Sequence, residues 1–215
     1  MAKVQKGYCT ICGAELGKVA MKNHILKIHS DAAEAQDCVL IKAEGAYDKN
    51  YWLYFDAPAT STLSTVDRFL RKIWLECCGH MSGFMGPGYR EVGKARKLGN
   101  FPAGAQLLHQ YDYGSTTELI ITFVGPTRRP AQREAVRLLA RNAPFEYTCG
   151  LCGKPAGYVD VERMYDDDNP FRCRACVEAE EPEMLLPVTN SPRMGVCGYA
   201  GELDTEPYTP EKFRK

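Results

Sequence analysis

The sequence predicts an α+β fold: an antiparallel sheet packed on one main helix, with a small cysteine-bearing module at either end. Three observations carry this. Paired β-rich runs joined by turn residues fill the middle of the chain, one strongly amphipathic helix lies among them, and cysteines gather in C-x2-C pairs towards both ends. A hydrophobic content of 45% with 25% charged residues over 215 residues suits one buried core with small satellites.

Residues 39–43 and 51–56 read as a hairpin across a Gly-Ala-Tyr-Asp-Lys-Asn turn. Residues 61–77 form the best helix, with Ser64 as its N-cap and Val66, Phe69, Leu70, Ile73 and Trp74 along one face. Gly79 stops it, and residues 81–85 suit a short strand. Residues 86–104 are rich in Gly, Pro and basic side chains and read as an exposed loop. Two further strands, 106–113 and 117–124, flank Gly114-Ser115. Pro130 then fits the first turn of a short helix over 131–141, with Val136, Leu138 and Leu139 apolar.

The formal net charge is zero, from 27 basic and 27 acidic residues, which argues for no particular partner globally. The charges are nonetheless segregated. Residues 1–30 hold five lysines against Glu15, residues 86–145 hold nine basic against four acidic, and residues 146–215 hold fourteen acidic against eight basic. The opening MAKVQKGYCT lacks the apolar core of a signal peptide, and no run is long enough for a membrane span, so a membrane partner is not expected. Clustered rather than scattered cysteines then point to metal ligands in a reducing, cytoplasmic setting.

Cys9-Thr-Ile-Cys12 followed by His24 and His29 has the spacing C-x2-C-x11-H-x4-H. Zinc takes four soft or borderline ligands in a tetrahedron, which a β-knuckle with two thiolates and a helix with two imidazoles supply. Over about 23 residues the segment resembles the two-Cys, two-His zinc-finger family, with the interval between the second Cys and first His one residue short of the commonest form. Its base-reading positions would be Gly17, Ala20 and Asn23, of which only Asn23 can bond a base edge. The lysines suit phosphates better than sequence reading.

Cys149-Gly-Leu-Cys152 and Cys173-Arg-Ala-Cys176 lie twenty residues apart, a spacing like that of zinc ribbons. Four thiolates leave no open position for an activated water, so the expected role is structural, with an iron–sulfur cluster as the alternative. Asp166, Asp167 and Asp168 between the pairs read as a solvated turn.

Three clusters mark the centre and tail: 74–84 with His80 and Phe84, 111–119 with Tyr111, Asp112, Tyr113 and Gly114, and 190–199 with Arg193 and Cys197. The first two, in this order behind a hairpin, resemble the Ri-plasmid ORF-3-like family over roughly residues 38–125. That resemblance implies an α+β domain, proximity to mobile elements, and no secure activity. The sequence departs from the family pattern in having one His in the first segment and Ser-Thr-Thr-Glu-Leu after Gly114.

The expected organisation is a zinc finger over 1–30, joined by a linker to an α+β domain over 38–144, a four-Cys module over 145–180 and an irregular acidic tail over 181–215. The expected function is that of a non-enzymatic protein holding two zinc ions and binding a macromolecule. Its nucleic-acid face would comprise Arg90, Lys94, Arg96, Lys97, Arg128 and Arg129. A protein partner held through the acidic tail, Tyr199 and Tyr208 is the alternative. An enzyme is a further one, drawing on Cys77, Cys78, His80, Asp112, Glu118 and Cys197, although the sequence offers no complete triad. A third metal site from Cys78, His80 and Cys197 is conceivable on donor type, and Cys38 is expected to be buried in the first strand of the central domain.

Overall fold

The computed structural model describes residues 5–30, 35–130, 135–165, 169–180 and 184–201. Eleven strands and three α-helices are assigned among them. The strands are β1 (Lys6–Cys9), β2 (Glu15–Gly17), β3 (Gln36–Gly45), β4 (Trp52–Pro58), β5 (Ser82–Met85), β6 (Gln106–Tyr111), β7 (Thr117–Arg129), β8 (Arg137–Asn142), β9 (Tyr158–Asp160), β10 (Phe171–Arg172) and β11 (Leu185–Pro187). The helices are α1 (Lys18–Ile28), α2 (Leu63–Leu70) and α3 (Arg174–Glu180).

Eight strands form one sheet in the order β2-β1-β8-β4-β3-β7-β6-β5, and the pairs described are all antiparallel. Alternation along the strands decides which residues enter the core. Ile41, Ala43, Leu53, Phe55, Leu119, Ile121 and Phe123 are buried with α2, which adds Leu63, Val66 and Leu70. The fold is therefore α+β, a sheet with a packed main helix.

That helix differs in detail from the sequence reading. Its N-cap position is Thr62, not Ser64, and no side chain caps it. Carbonyls of the following loop do so instead: Leu63 N–H donates to Arg96 O at 3.0 Å and Ser64 N–H to Lys94 O at 2.9 Å. After Leu70 the chain widens into a π-helical turn, Arg71–Leu75, in which Ile73, Trp74 and Leu75 are all buried.

The predicted helix over 131–141 is overturned across its described residues, where 137–142 form β8 instead. Its apolar spacing suited a helix, but the segment is hydrogen-bonded between β1 and β4, and sheet pairing overrides local preference. A bulge opposite Tyr54/Phe55 lets Leu138 pack on the α2 side while Leu139 and Ala140 pack on the other.

The amino-terminal finger shares this sheet. Its β1 pairs with β8, and α1 lays Met21 and Ile25 on Leu40, Trp52, Tyr54 and Leu139, covering the face opposite α2. Gly7 makes the approach possible: a Cβ there would meet the Arg141 carbonyl and lie 2.5 Å from the Trp52 ring.

Of the expected irregular tail, the described residues 184–201 pack on the rest of the chain. β11 pairs with β9, completing a second sheet of order β10-β9-β11, and residues 190–199 strap across the π turn. Ser191 donates to Trp74 O at 2.7 Å, Trp74 Nε1 to Asn190 O at 2.9 Å, and the Asn142 amide to Asn190 Oδ1 at 2.6 Å. Tyr199 is buried with its hydroxyl towards Ile73 O, so it offers no contact to a partner. Tyr208 and the Asp166, Asp167 and Asp168 run lie outside the described residues.

Two features of the predicted basic face are also corrected. Arg129 is fully buried against Asp56 at 3.2 Å, and Lys94 is held by Asp67 at 2.9 Å. Arg128 and Arg129 are neighbours in a strand, so they face opposite sides of the sheet and only Arg128 is exposed.

Candidate metal centres

Three groups of side chains bring four potential ligand atoms each to within 4.8 Å of one another: Cys9/Cys12/His24/His29, Cys77/Cys78/His80/Cys197 and Cys149/Cys152/Cys173/Cys176. Together they take nine of the ten cysteines and three of the four histidines, leaving Cys38 and His109, both buried. With metal–sulfur about 2.3 Å and metal–nitrogen about 2.0 Å, a tetrahedral site has ligand–ligand edges of about 3.3–3.8 Å.

In the first group a tight turn carries the thiols. Cys9 closes β1, its N–H donating to Ala14 O and its carbonyl accepting from Gly13 N–H, each at 2.9 Å. Gly13 takes φ +75°, a conformation that favours glycine. His24 sits in α1 and His29 at its C-cap. Their Nε2 atoms are 3.1 Å apart, and Cys12 Sγ lies 3.2 Å from His24 Nε2, close to the expected edges. Burial pushes the Cys9 thiol up, and burial with the neighbouring His24 and Arg137 charges holds His29 below the usual imidazole range. Asn23 is exposed, but Lys18 is bonded to Glu44 at 2.6 Å rather than standing clear for a phosphate.

The second centre repeats the knuckle. Cys149 N–H donates to Lys154 O at 2.7 Å, Gly153 N–H to Cys149 O at 2.9 Å, and Gly153 has φ +71°. Cys173 precedes α3 and Cys176 lies within it; Cys152 and Cys173 Sγ are 3.6 Å apart. Desolvation raises the Cys149 thiol, but backbone bonds from Cys173, Leu151 and Cys152 outweigh it and bring the group down to about 6. Cys173 is lowered chiefly by the Cys176 backbone. Such N–H groups stabilise thiolate, the ligating form.

The third group joins distant segments. Cys78 Sγ lies 2.9 Å from His80 Nε2, 3.5 Å from Cys197 Sγ and 3.7 Å from Cys77 Sγ; Cys197 lies 3.6 Å from His80 Nε2. Glu76 shapes the loop beneath them, accepting from Gly79 N–H, Tyr111 Oη and Arg71 Nε. Arg193, fully buried, donates to Asp112 Oδ2 at 2.7 Å, Thr117 Oγ1 at 2.9 Å and Cys77 Sγ at 3.4 Å. Asp112 Oδ2 is 3.4 Å from His80 Nε2. Among the described residues, Asp112 and Cys197 are two of three non-glycine residues at positive φ, +65° and +56°.

Of the residues weighed for chemistry, Cys77, Cys78, His80, Asp112 and Cys197 thus converge. Glu118 does not: it bonds Tyr47 and Gln110 on the opposite face of β7. The sequence reading also missed a buried polar network. His109 Nε2 and Ser82 Oγ each lie 2.8 Å from Asp67 Oδ1, with Lys94 Nζ 2.9 Å from Oδ2 and 2.8 Å from Ser82 Oγ. Desolvation raises the Asp67 carboxyl, but bonds from His109, Lys94 and Ser82 prevail and hold it well below its ordinary range. Burial drives His109 down. The signal in the sequence was the alternation that puts His109 on one face of the expected strand 106–113 with Leu107 and Tyr111, all three of which are buried in β6.

No protein-family model and no curated protein matches the chain. Among solved structures it is similar to a protein of unknown function from Methanosarcina mazei Go1, at 14% identity and a TM-score of 0.43, over 51% of this chain and 70% of that one. No helix among the described residues is long and apolar enough to cross a membrane.

Proposed function

We propose that this is a non-enzymatic protein in which zinc, held by Cys9/Cys12/His24/His29 and by Cys149/Cys152/Cys173/Cys176, stabilises a surface that binds nucleic acid through its backbone. The observation that carries the zinc reading is the convergence of four ligand atoms in each group, at separations close to tetrahedral edges. Each set is complete with four protein ligands, so the ions stabilise the fold rather than activate water. An iron–sulfur cluster at the four cysteines is the alternative that metal analysis and optical absorption discriminate.

Arg90, Arg96, Lys97 and Arg128 remain as the exposed basic residues of the expected face. Arg128, Phe101 and Phe123 line one groove of about 540 Å³, with Asp37 also on its wall. Phe101 stacks on Phe123 at 4.1 Å, and the Arg96 guanidinium lies 4.7 Å from the Phe101 ring centre. Phe123 is fully buried and Phe101 partly so, which leaves the exposed cations to grip the phosphates of a single strand without reading sequence. Contact with three or four phosphates gives a log–log salt slope of about −2 to −3.

Anisotropy of a labelled single-stranded oligonucleotide tests this. Binding that weakens with salt, and weakens further in Arg96→Ala/Arg128→Ala, supports the reading; no binding at low salt refutes its nucleic-acid part. One observation favours a protein partner instead: Met85, Tyr89, Leu108 and Ile120 line an open trough, with Tyr89 largely exposed. A stoichiometric protein partner that survives high salt would select it.

A further inference from the structure

We propose that Cys77, Cys78, His80 and Cys197 form a third metal site, for a thiolate-preferring divalent ion of the zinc class, which clamps the 190–199 strap to the end of the π turn. The four ligand atoms lie within 4.8 Å of one another, as in the other two groups. Three thiolates and an imidazole select zinc over calcium or magnesium, which require oxygen donors. The two halves of the set are brought together from positions 119 residues apart, so their meeting is a property of the fold.

The surroundings are built in a way that an incidental cluster of thiols does not require. Gly79, at φ +79°, reverses the chain between Cys78 and His80, and Glu76 fixes that reversal through its bond from Gly79 N–H. Gly195 and Cys197 take φ +76° and +56°, turning the strap so that its thiol reaches His80. Buried Arg193 is the link between the halves. It lies on the strap, is anchored by Asp112 and Thr117, and places guanidinium charge 3.4 Å from Cys77 Sγ. A divalent ion with three thiolates carries one excess negative charge, which this guanidinium, shared with the Asp112 carboxylate, partly offsets.

Burial differs among the sites. Cys78 and Cys197 are exposed, whereas each of the other groups contains at least one buried cysteine. Binding releases the thiol protons to solvent and involves no change of oxidation state. The third ion is therefore the most accessible to a competing chelator. When it leaves, the strap keeps its asparagine, serine and arginine bonds but loses the clamp at Cys197.

Elemental analysis of the full chain after gel filtration in chelator-free buffer is the direct test. Three ions per chain are expected, falling to two in Cys197→Ser and in Cys78→Ser; Cys12→Ser removes a different one. Cobalt titration of the wild type, which should take up three equivalents per chain, supplies a readout independent of variant folding. A set of thiolate charge-transfer bands should disappear in Cys197→Ser while those of the four-cysteine site remain. A mild chelator should release one ion first and expose Cys78 and Cys197 to alkylation. A wild type with two ions whose count is unchanged by Cys197→Ser and Cys78→Ser overturns the proposal, while leaving the first two sites standing. Loss of metal in Cys12→Ser or Cys152→Ser tests those separately. Persistence of a third ion in both Cys197→Ser and Cys78→Ser also overturns it, as does alkylation of these thiols unaffected by bound metal.

Discussion

Replacing Met21 by Ala removes three heavy atoms from the contact between α1 and the sheet, where Met21 and Ile25 are fully buried against Leu40, Trp52, Tyr54 and Leu139. At about 0.8 kcal/mol per buried methylene-sized group the transfer loss is about 2.4 kcal/mol. Incomplete collapse around the gap adds to this, within the roughly 2–5 kcal/mol found for Met→Ala in cores. For a chain of this length each kcal/mol lowers Tm by about 2–4 °C, so a loss of about 3 kcal/mol implies about 6–12 °C. The two tryptophans provide the assay: Trp52 lies under α1, and Trp74 in the core on the α2 side. In Trp52→Phe and Trp74→Phe backgrounds, each remaining tryptophan reports one side of the sheet. Met21→Ala should lower both midpoints together. If it weakens metal retention at Cys9/Cys12/His24/His29 while both tryptophan midpoints stay in place, the finger is not part of the cooperative unit and the packing argument fails.

Acidification acts on the network beneath β6. Burial holds His109 below its ordinary value, so the unfolded chain takes up this proton first and stability falls as pH drops through about 6.5. Asp67 has a depressed carboxyl, so its contribution is present above about 3.9 and is lost as pH falls further. His109→Gln keeps a donor for Asp67 but removes the imidazole titration; the loss of unfolding free energy between pH 7 and pH 5, by urea titration, should be smaller than in the wild type, by at most about 2 kcal/mol. An unchanged pH difference would remove His109 from the account. Arg129→Met removes one of two guanidinium partners of the buried Asp56 carboxylate and leaves Arg137, a change expected to cost about 2–3 kcal/mol by denaturant titration. Arg128→Ala, on the exposed side of the same strand, should cost less than about 1 kcal/mol; equal losses would contradict the assigned facing.

The knuckles were the most legible part of the chain, because their chemistry is local. A Gly after Cys12 and after Cys152 allows the left-handed turn, and Gly13 and Gly153 both adopt it. The hairpins were legible for the same reason. β8 was not, since the spacing of Val136 and Leu139 suits a helix and only pairing with β1 and β4 makes it a strand. Extending β7 from 124 to 129 would have shown that Arg128 and Arg129 cannot share a face. The third centre could be suspected from donor type alone, because no spacing rule relates Cys78 to a cysteine 119 residues later. Nor could the sequence show Arg193 as the cation joining Asp112 to Cys77, which depends on how the strap lies.

The pairing of β1 with β8 has a consequence for the timing of assembly. Thr10 Oγ1 bonds Leu138 O, a separation of 128 residues. At about 5–20 residues per second, the ribosome needs roughly 6–26 s to supply the second partner after the first. Throughout that interval α1 lacks Leu139 and Ala140 of β8, the strand that joins β1 to β4. Were the proposed ion bound, its four ligands, all within the first 29 residues, would hold α1 against the Cys9–Cys12 turn until β8 pairs with β1.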